Sequence, residues 1–244
     1  MSVIELDDET QTGTLVHGYA VAGGDLKDHI VYFNYLCNAF DFEMICIDNA
    51  GFQFIDSCNE SGAFTKKLDF FDFNSDAEGI NYQKEIKSSR KQYNKQDGKI
   101  CFKQVFTSNW LRKANEQLQA SIDHKRLWFA SKATASNETF NRMTNQKIEL
   151  KFKKGETVLD LIEEQDNLIH QTKKQCALIE VKSTAKGTQT FDLPQHLKRN
   201  TSPTRARRDN YTTLMLGMWT LKCYYDIMLT KEEGPEETFA PIMI

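Results

Sequence analysis

A chain of 244 residues with 40% hydrophobic and 27% charged side chains holds enough apolar material to bury a core, which excludes a fibrous or mainly disordered molecule. Its net charge of −3, from 31 basic and 34 acidic residues, gives no general attraction to nucleic acid, so any such contact must come from locally clustered charge. No apolar run approaches the ~20 residues that cross a bilayer, and the first residues lack the basic and apolar regions of a signal peptide, so neither a membrane partner nor secretion is expected.

Residues 1–12 carry Glu5, Asp7, Asp8 and Glu9 with little apolar periodicity and read as an acidic tail or linker. The folded domain is expected over residues 13–230, with a C-terminal tail at 231–244. Residues 15–22 and 29–33 are β-branched and aromatic runs on either side of Gly23-Gly24, which predicts a β-hairpin. Residues 41–48 predict a buried strand, followed by a turn and a helix through Phe54, Ile55 and Cys58. The polar stretch 66–100, with Lys84, Lys87, Arg90, Lys91, Lys95 and Lys99 around Tyr82 and Tyr93, reads as a surface helix and loops.

Residues 100–106 predict a strand, and Trp110, Leu111, Ala114, Leu118 and Ile122 recur at helical spacing over 109–123. A second helix is expected over 158–175 and a strand over 176–181. Residues 198–208 then hold five basic residues, and Asp209 opens a long apolar helix through Leu214, Met218, Leu221 and Tyr225. Strands alternating with helices in this order place the chain in the α/β class, with a central mixed sheet flanked by helices.

The six cysteines (Cys37, Cys46, Cys58, Cys101, Cys176 and Cys223) form no CxxC pair and sit mostly among apolar neighbours, as reduced core thiols of a cytosolic protein do. GxxxxGK[ST], GxGxxG, HExxH and GxSxG are all missing, and the five histidines have no zinc-ligand spacing. Aspartates at element ends are the chemistry that remains. Asp48 closes the most apolar strand, where open α/β sheets hold ligands, and Asp209 follows the basic segment. Converging carboxylates suit Mg²⁺ or Mn²⁺, while taken singly Asp48 can start its turn and Asp209 can cap its helix.

The order of these segments resembles the C-terminal nuclease domain of the large terminase subunit of tailed bacteriophages. The similarity runs over roughly residues 13–229 and is carried by residues 18–28 (GYAVAGGDLKD), 45–51 (ICIDNAG), 110–119 (WLRKANEQLQ), 187–193 (GTQTFDL) and 207–211 (RRDNY). It implies an RNase H-like fold and an endonuclease that cuts concatemeric DNA during genome packaging, using two divalent ions, Mg²⁺ or Mn²⁺. The implied ligands are position 20, Asp48 and Asp209, with Asp28 nearby, and Lys198, Arg199, Arg205, Arg207 and Arg208 would hold double-stranded DNA.

Ala20 stands where the family has its first aspartate, and a methyl group binds no cation, so the chain is expected to be disabled for cleavage. A shifted placement makes Asp25 the ligand instead. The resemblance further implies an ATPase motor domain absent from this chain, the small terminase subunit and the portal as partners, and the host cytoplasm as location. Two other readings stand beside it. One is a PD-(D/E)xK restriction-type nuclease using Glu180 and Lys182 with Asp160 or Asp166 upstream; the other is a non-catalytic DNA-binding or assembly module.

Overall fold

The residues expected to be an acidic tail open the first sheet instead. A computed structural model describes residues 1–20, 25–40, 42–48, 51–64, 68–73, 99–131, 158–183, 189–198 and 209–229, and in it strand β1 (Ser2–Asp7) pairs antiparallel with β2 (Thr12–Gly18). Ile4 and Leu6 alternate with Glu5 and Asp7, a strand pattern that the density of acids hides in the sequence. Asp7 builds the connecting turn, its Oδ1 accepting from the backbone N–H of Glu9 at 3.1 Å and of Thr10 at 3.2 Å. The Thr10 side chain, together with these backbone donors, holds the Asp7 carboxyl below its usual range.

The expected hairpin is also corrected. Residues 29–33 are not a second strand but lie in helix α1 (Leu26–Ala39), which Asp25 caps by accepting from the Lys27 N–H at 3.1 Å. The β-branched and aromatic run misleads because α1 is apolar on two faces: Ile30 and Phe33 enter one core cluster, and Tyr35, Leu36 and Ala39 enter another.

Beyond α1 come β3 (Ile45–Asp48), α2 (Phe52–Glu60), β4 (Leu68–Phe73), β5 (Lys99–Gln104), α3 (Ser108–Asp123) and β6 (Leu127–Phe129). Thr107 caps α3, its side chain accepting from the Trp110 N–H at 3.1 Å. Helix α4 (Val158–Leu178) runs through the first half of the strand expected at 176–181, because Cys176 continues the apolar face on the core, and β7 (Glu180–Ser183) starts only afterwards. β8 (Gln189–Asp192), α5 (Gln195–Lys198) and α6 (Asp209–Leu229) complete the described elements.

Among the described residues the strands form three small sheets: mixed β1-β2-β6, all-parallel β3-β5-β4, and the antiparallel hairpin β7-β8. The chain is thus a mixed α/β protein, but its described strands form these separate small sheets rather than the single central mixed sheet expected. Helix α6 is its axis, with Leu214, Met215, Met218 and Leu221 buried against α3, α4, β1 and β2. The Tyr211 hydroxyl donates to Asn115 Oδ1 of α3, and the Tyr211 N–H donates to Gln175 Oε1 of α4 at 2.9 Å. No described helix is long and apolar enough to cross a membrane. All six cysteines are free thiols.

Candidate functional site

Asp48 ends β3 opposite Gln104 of β5, and its Oδ1 accepts from the Gly51 N–H at 2.8 Å. That turn contact was one of the two roles open to it from sequence, and it engages one carboxylate oxygen while leaving the other for a ligand. Gly51 is required by close approach: a Cβ there would stand 2.4 Å from Ile47 Cγ1 and 3.2 Å from Asp48 Oδ1.

Position 20 follows the end of β2 and is exposed. The neighbouring Tyr19 clasps the chain start: the Met1 amine donates to the Tyr19 carbonyl at 2.6 Å, and the Tyr19 N–H donates to the Met1 carbonyl at 2.9 Å. Burial pushes the Met1 amine down from 8.0 to about 6, and the negative charge of Asp209 pulls it part of the way back. Asp209, exposed in the first turn of α6, is therefore close enough to act on the same amine. Ser2 Oγ and Thr213 Oγ1, 2.8 Å apart, tie β1 to this end of α6.

Met1 and Asp48 line one cavity of about 770 Å³. Met1 thus has Tyr19, the neighbour of position 20, as its hydrogen-bond partner, feels the charge of Asp209, and shares a cavity wall with Asp48. Asp28, exposed in the first turn of α1, lies on the Tyr19 side, where its charge and that of Glu164 of α4 add to burial in raising the Tyr19 hydroxyl pKa. Asp25, the ligand of the shifted placement, caps α1 through Oδ1 alone, as Asp48 holds its turn.

The Met1 amine and Glu164 are charges near position 20 that the sequence reading missed. Nothing in residues 160–166 singles out Glu164 from its acidic neighbours. A hydrogen-bonded pair was missed as well: buried His17, through Nε2, lies 2.7 Å from the hydroxyl of half-buried Tyr32, and Tyr32 stacks on Tyr19, whose own hydroxyl is 2.8 Å from His29 Nδ1.

Among the described residues no three His, Cys, Asp or Glu side chains come together as a metal-holding group. Asp48 and Asp209 suit a hard divalent cation in ligand type, but they do not make a closed set while residue 20 is alanine. Of the basic segment, Lys198 ends the short α5, and Arg199, Arg205, Arg207 and Arg208 lie outside the described residues, as does the lysine-rich run at 84–98. Glu180 and Lys182 pair with each other at 2.8 Å on the exposed strand β7. Asp166 is buried in α4, and Asp160 lies in the same helix.

Searches of family models, of curated proteins and of solved structures found no match to this chain.

Proposed function

We propose that this chain is a metal-dependent DNA endonuclease domain of RNase H-like type, from the large subunit of a viral DNA-packaging terminase, and that Ala20 disables it. The resemblance of residues 18–28, 45–51 and 207–211 supplies the family, and the surroundings of Met1 support the site: Tyr19 beside position 20 hydrogen-bonds it, the charge of Asp209 acts on its amine, and Asp48 lines the same cavity. With alanine at 20, the two remaining carboxylates do not hold the pair of ions that phosphodiester hydrolysis of this kind uses. Double-stranded DNA, a separate ATPase motor, the small terminase subunit and the portal are the partners this reading assigns.

The test is plasmid cleavage with Mg²⁺ and with Mn²⁺ by three proteins: the chain as given, its Ala20→Asp variant, and the double variant that adds Asp48→Asn. Cleavage that appears with Ala20→Asp and disappears in the double variant supports the proposal. Inactivity of all three moves the assignment to a DNA-binding or assembly module. Cleavage that depends on Lys182 rather than on position 20 moves it to the restriction-type nuclease.

A further inference from the structure

Native interiors hold few voids larger than a water molecule, yet a cavity of about 770 Å³ lies where the two core clusters meet. Leu36, Leu216 and Leu221 line it from the first cluster, and Phe33 and Ile55 from the second. Its volume falls in the range of sites that enclose a small organic molecule, and its lining is mostly apolar, as theirs is. A space of this size between two close-packed cores is a place for a ligand, and the lining defines the chemistry of that ligand.

Four carboxylates line the cavity, those of Glu5, Asp8, Glu43 and Asp48, and none of its described lining residues is lysine or arginine. Glu5, Asp8 and Glu43 are exposed, where water and salt screen their charge, and Glu5 and Glu43 have interactions of their own. Asp48 differs from all three. It is half-buried, and the one hydrogen bond its side chain makes among the described residues, from the Gly51 N–H, uses Oδ1 only. The second oxygen is open to a donor. The Met1 amine does not neutralise this carboxylate, because burial lowers the amine to about 6 and leaves most of it uncharged at neutral pH. Aromatic rings share the walls: Phe33 packs on Phe54 with centroids 5.5 Å apart, and Phe40 on Phe42 at 5.8 Å. Ring faces attract organic cations, most strongly where water is excluded.

From this lining we infer that the cavity binds an organic amine with an apolar body, its ammonium group on the Asp48 carboxylate and its hydrocarbon between the two clusters. An anionic amphiphile of the same size meets Asp48 with no described lysine or arginine beside it, and a neutral hydrocarbon leaves the carboxylate facing apolar surface. A divalent cation alone satisfies Asp48 but leaves the apolar volume unfilled. An amine with an apolar body satisfies both.

The inference does not rest on the nuclease reading, and its test is run without divalent ions or DNA, so its failure leaves that reading untouched. Isotope-labelled protein is titrated at neutral pH with decylamine and with decanoate, two probes of equal chain length and opposite charge. Decylamine is expected to saturate a single site and to move the amide signals of β1, β3 and α6, with decanoate binding at least about tenfold more weakly. Asp48→Asn keeps an oxygen to accept from Gly51 and removes the charge, so the far-ultraviolet circular dichroism should be unchanged while the affinity for decylamine falls about tenfold. If the dichroism does change, the contrast between the two probes on the unaltered chain decides. Failure of decylamine to saturate, equal affinity for decanoate, signal changes confined to residues outside the cavity walls, or unchanged affinity in a folded Asp48→Asn variant each overturns the inference.

Discussion

The two three-stranded sheets are packed differently. Among the described residues, β1-β2-β6 shares one buried cluster with helices α1, α3, α4 and α6, with Trp110, Leu118 and Leu214 among its fully buried members. β3-β5-β4 shares another with α1 and α2, to which Ile30, Phe33, Ile55, Cys58, Leu68 and Cys101 contribute. The axial helix α6 packs into the first cluster, which makes that cluster the anchor of the fold. Asp48 stands on the second sheet and Asp209 on α6. The contrast teaches that a ligand set built across the seam between the sheets rests on a different core at each carboxylate.

The largest effect is expected from Leu214→Ala, which empties a fully buried position of the anchor and should cost about 3–5 kcal/mol, with protection lost in both sheets together in a denaturant titration followed by amide exchange. Next is the seam itself, where Met1 packs against both clusters. Burial lowers its amine to about 6 in the folded chain against the ordinary 8.0, so between those pH values the unfolded state binds the additional proton. Stability should therefore rise as pH increases from 6 to 8, by about 2–3 kcal/mol in all, and acetylation of the amine should remove that slope from a series of melts.

A smaller effect sharpens the contrast. Ile55→Val removes one methyl group from the second cluster, costs about 1 kcal/mol, and should speed exchange in β3 and β5 while leaving β1 and β2 unchanged. Equal acceleration in both sheets would show that they open as one unit. The thiols report the same event: burial pushes Cys46 and Cys58 up to about 12, so alkylation at neutral pH requires opening of this region. Least of all, Lys182→Ala breaks the exposed Glu180–Lys182 pair and should change the melting free energy by less than about 0.5 kcal/mol, because β7 lies outside both clusters.

In the second sheet β3 and β5 were legible as short apolar runs and α2 by its helical spacing, but β4 (Leu68–Phe73) corrects the surface helix and loops expected over 66–100, its Asp69 and Asp72 hiding a strand among the phenylalanines. The first sheet was harder to see. Acidic residues occupy the outward positions of β1 and hide its alternation, and the two-faced burial of α1 imitates a strand. The end of α4 was missed because Cys176, Ala177 and Leu178 suit helix and strand equally, and tertiary packing decides between them. Asp48 and Asp209 were legible as acids at element ends. The Met1 amine and Glu164 were not, since only the folded chain brings their charges near Tyr19 and Asp209.

Ile4 stands at the register shift of β1, and its side chain is seated against two glycines. A Cβ on Gly13 would stand 2.7 Å from Ile4 Cγ2, and one on Gly217 would stand 2.6 Å from Ile4 Cδ1. The three residues come from a strand, its hairpin partner and the axial helix, yet none can change size without the others giving way. In a collection of descendants of this chain, positions 4 and 217 should therefore mutate together, a smaller residue at 4 releasing Gly217, while Gly13 stays held by Leu221 Cδ2, 2.7 Å from where its Cβ would stand.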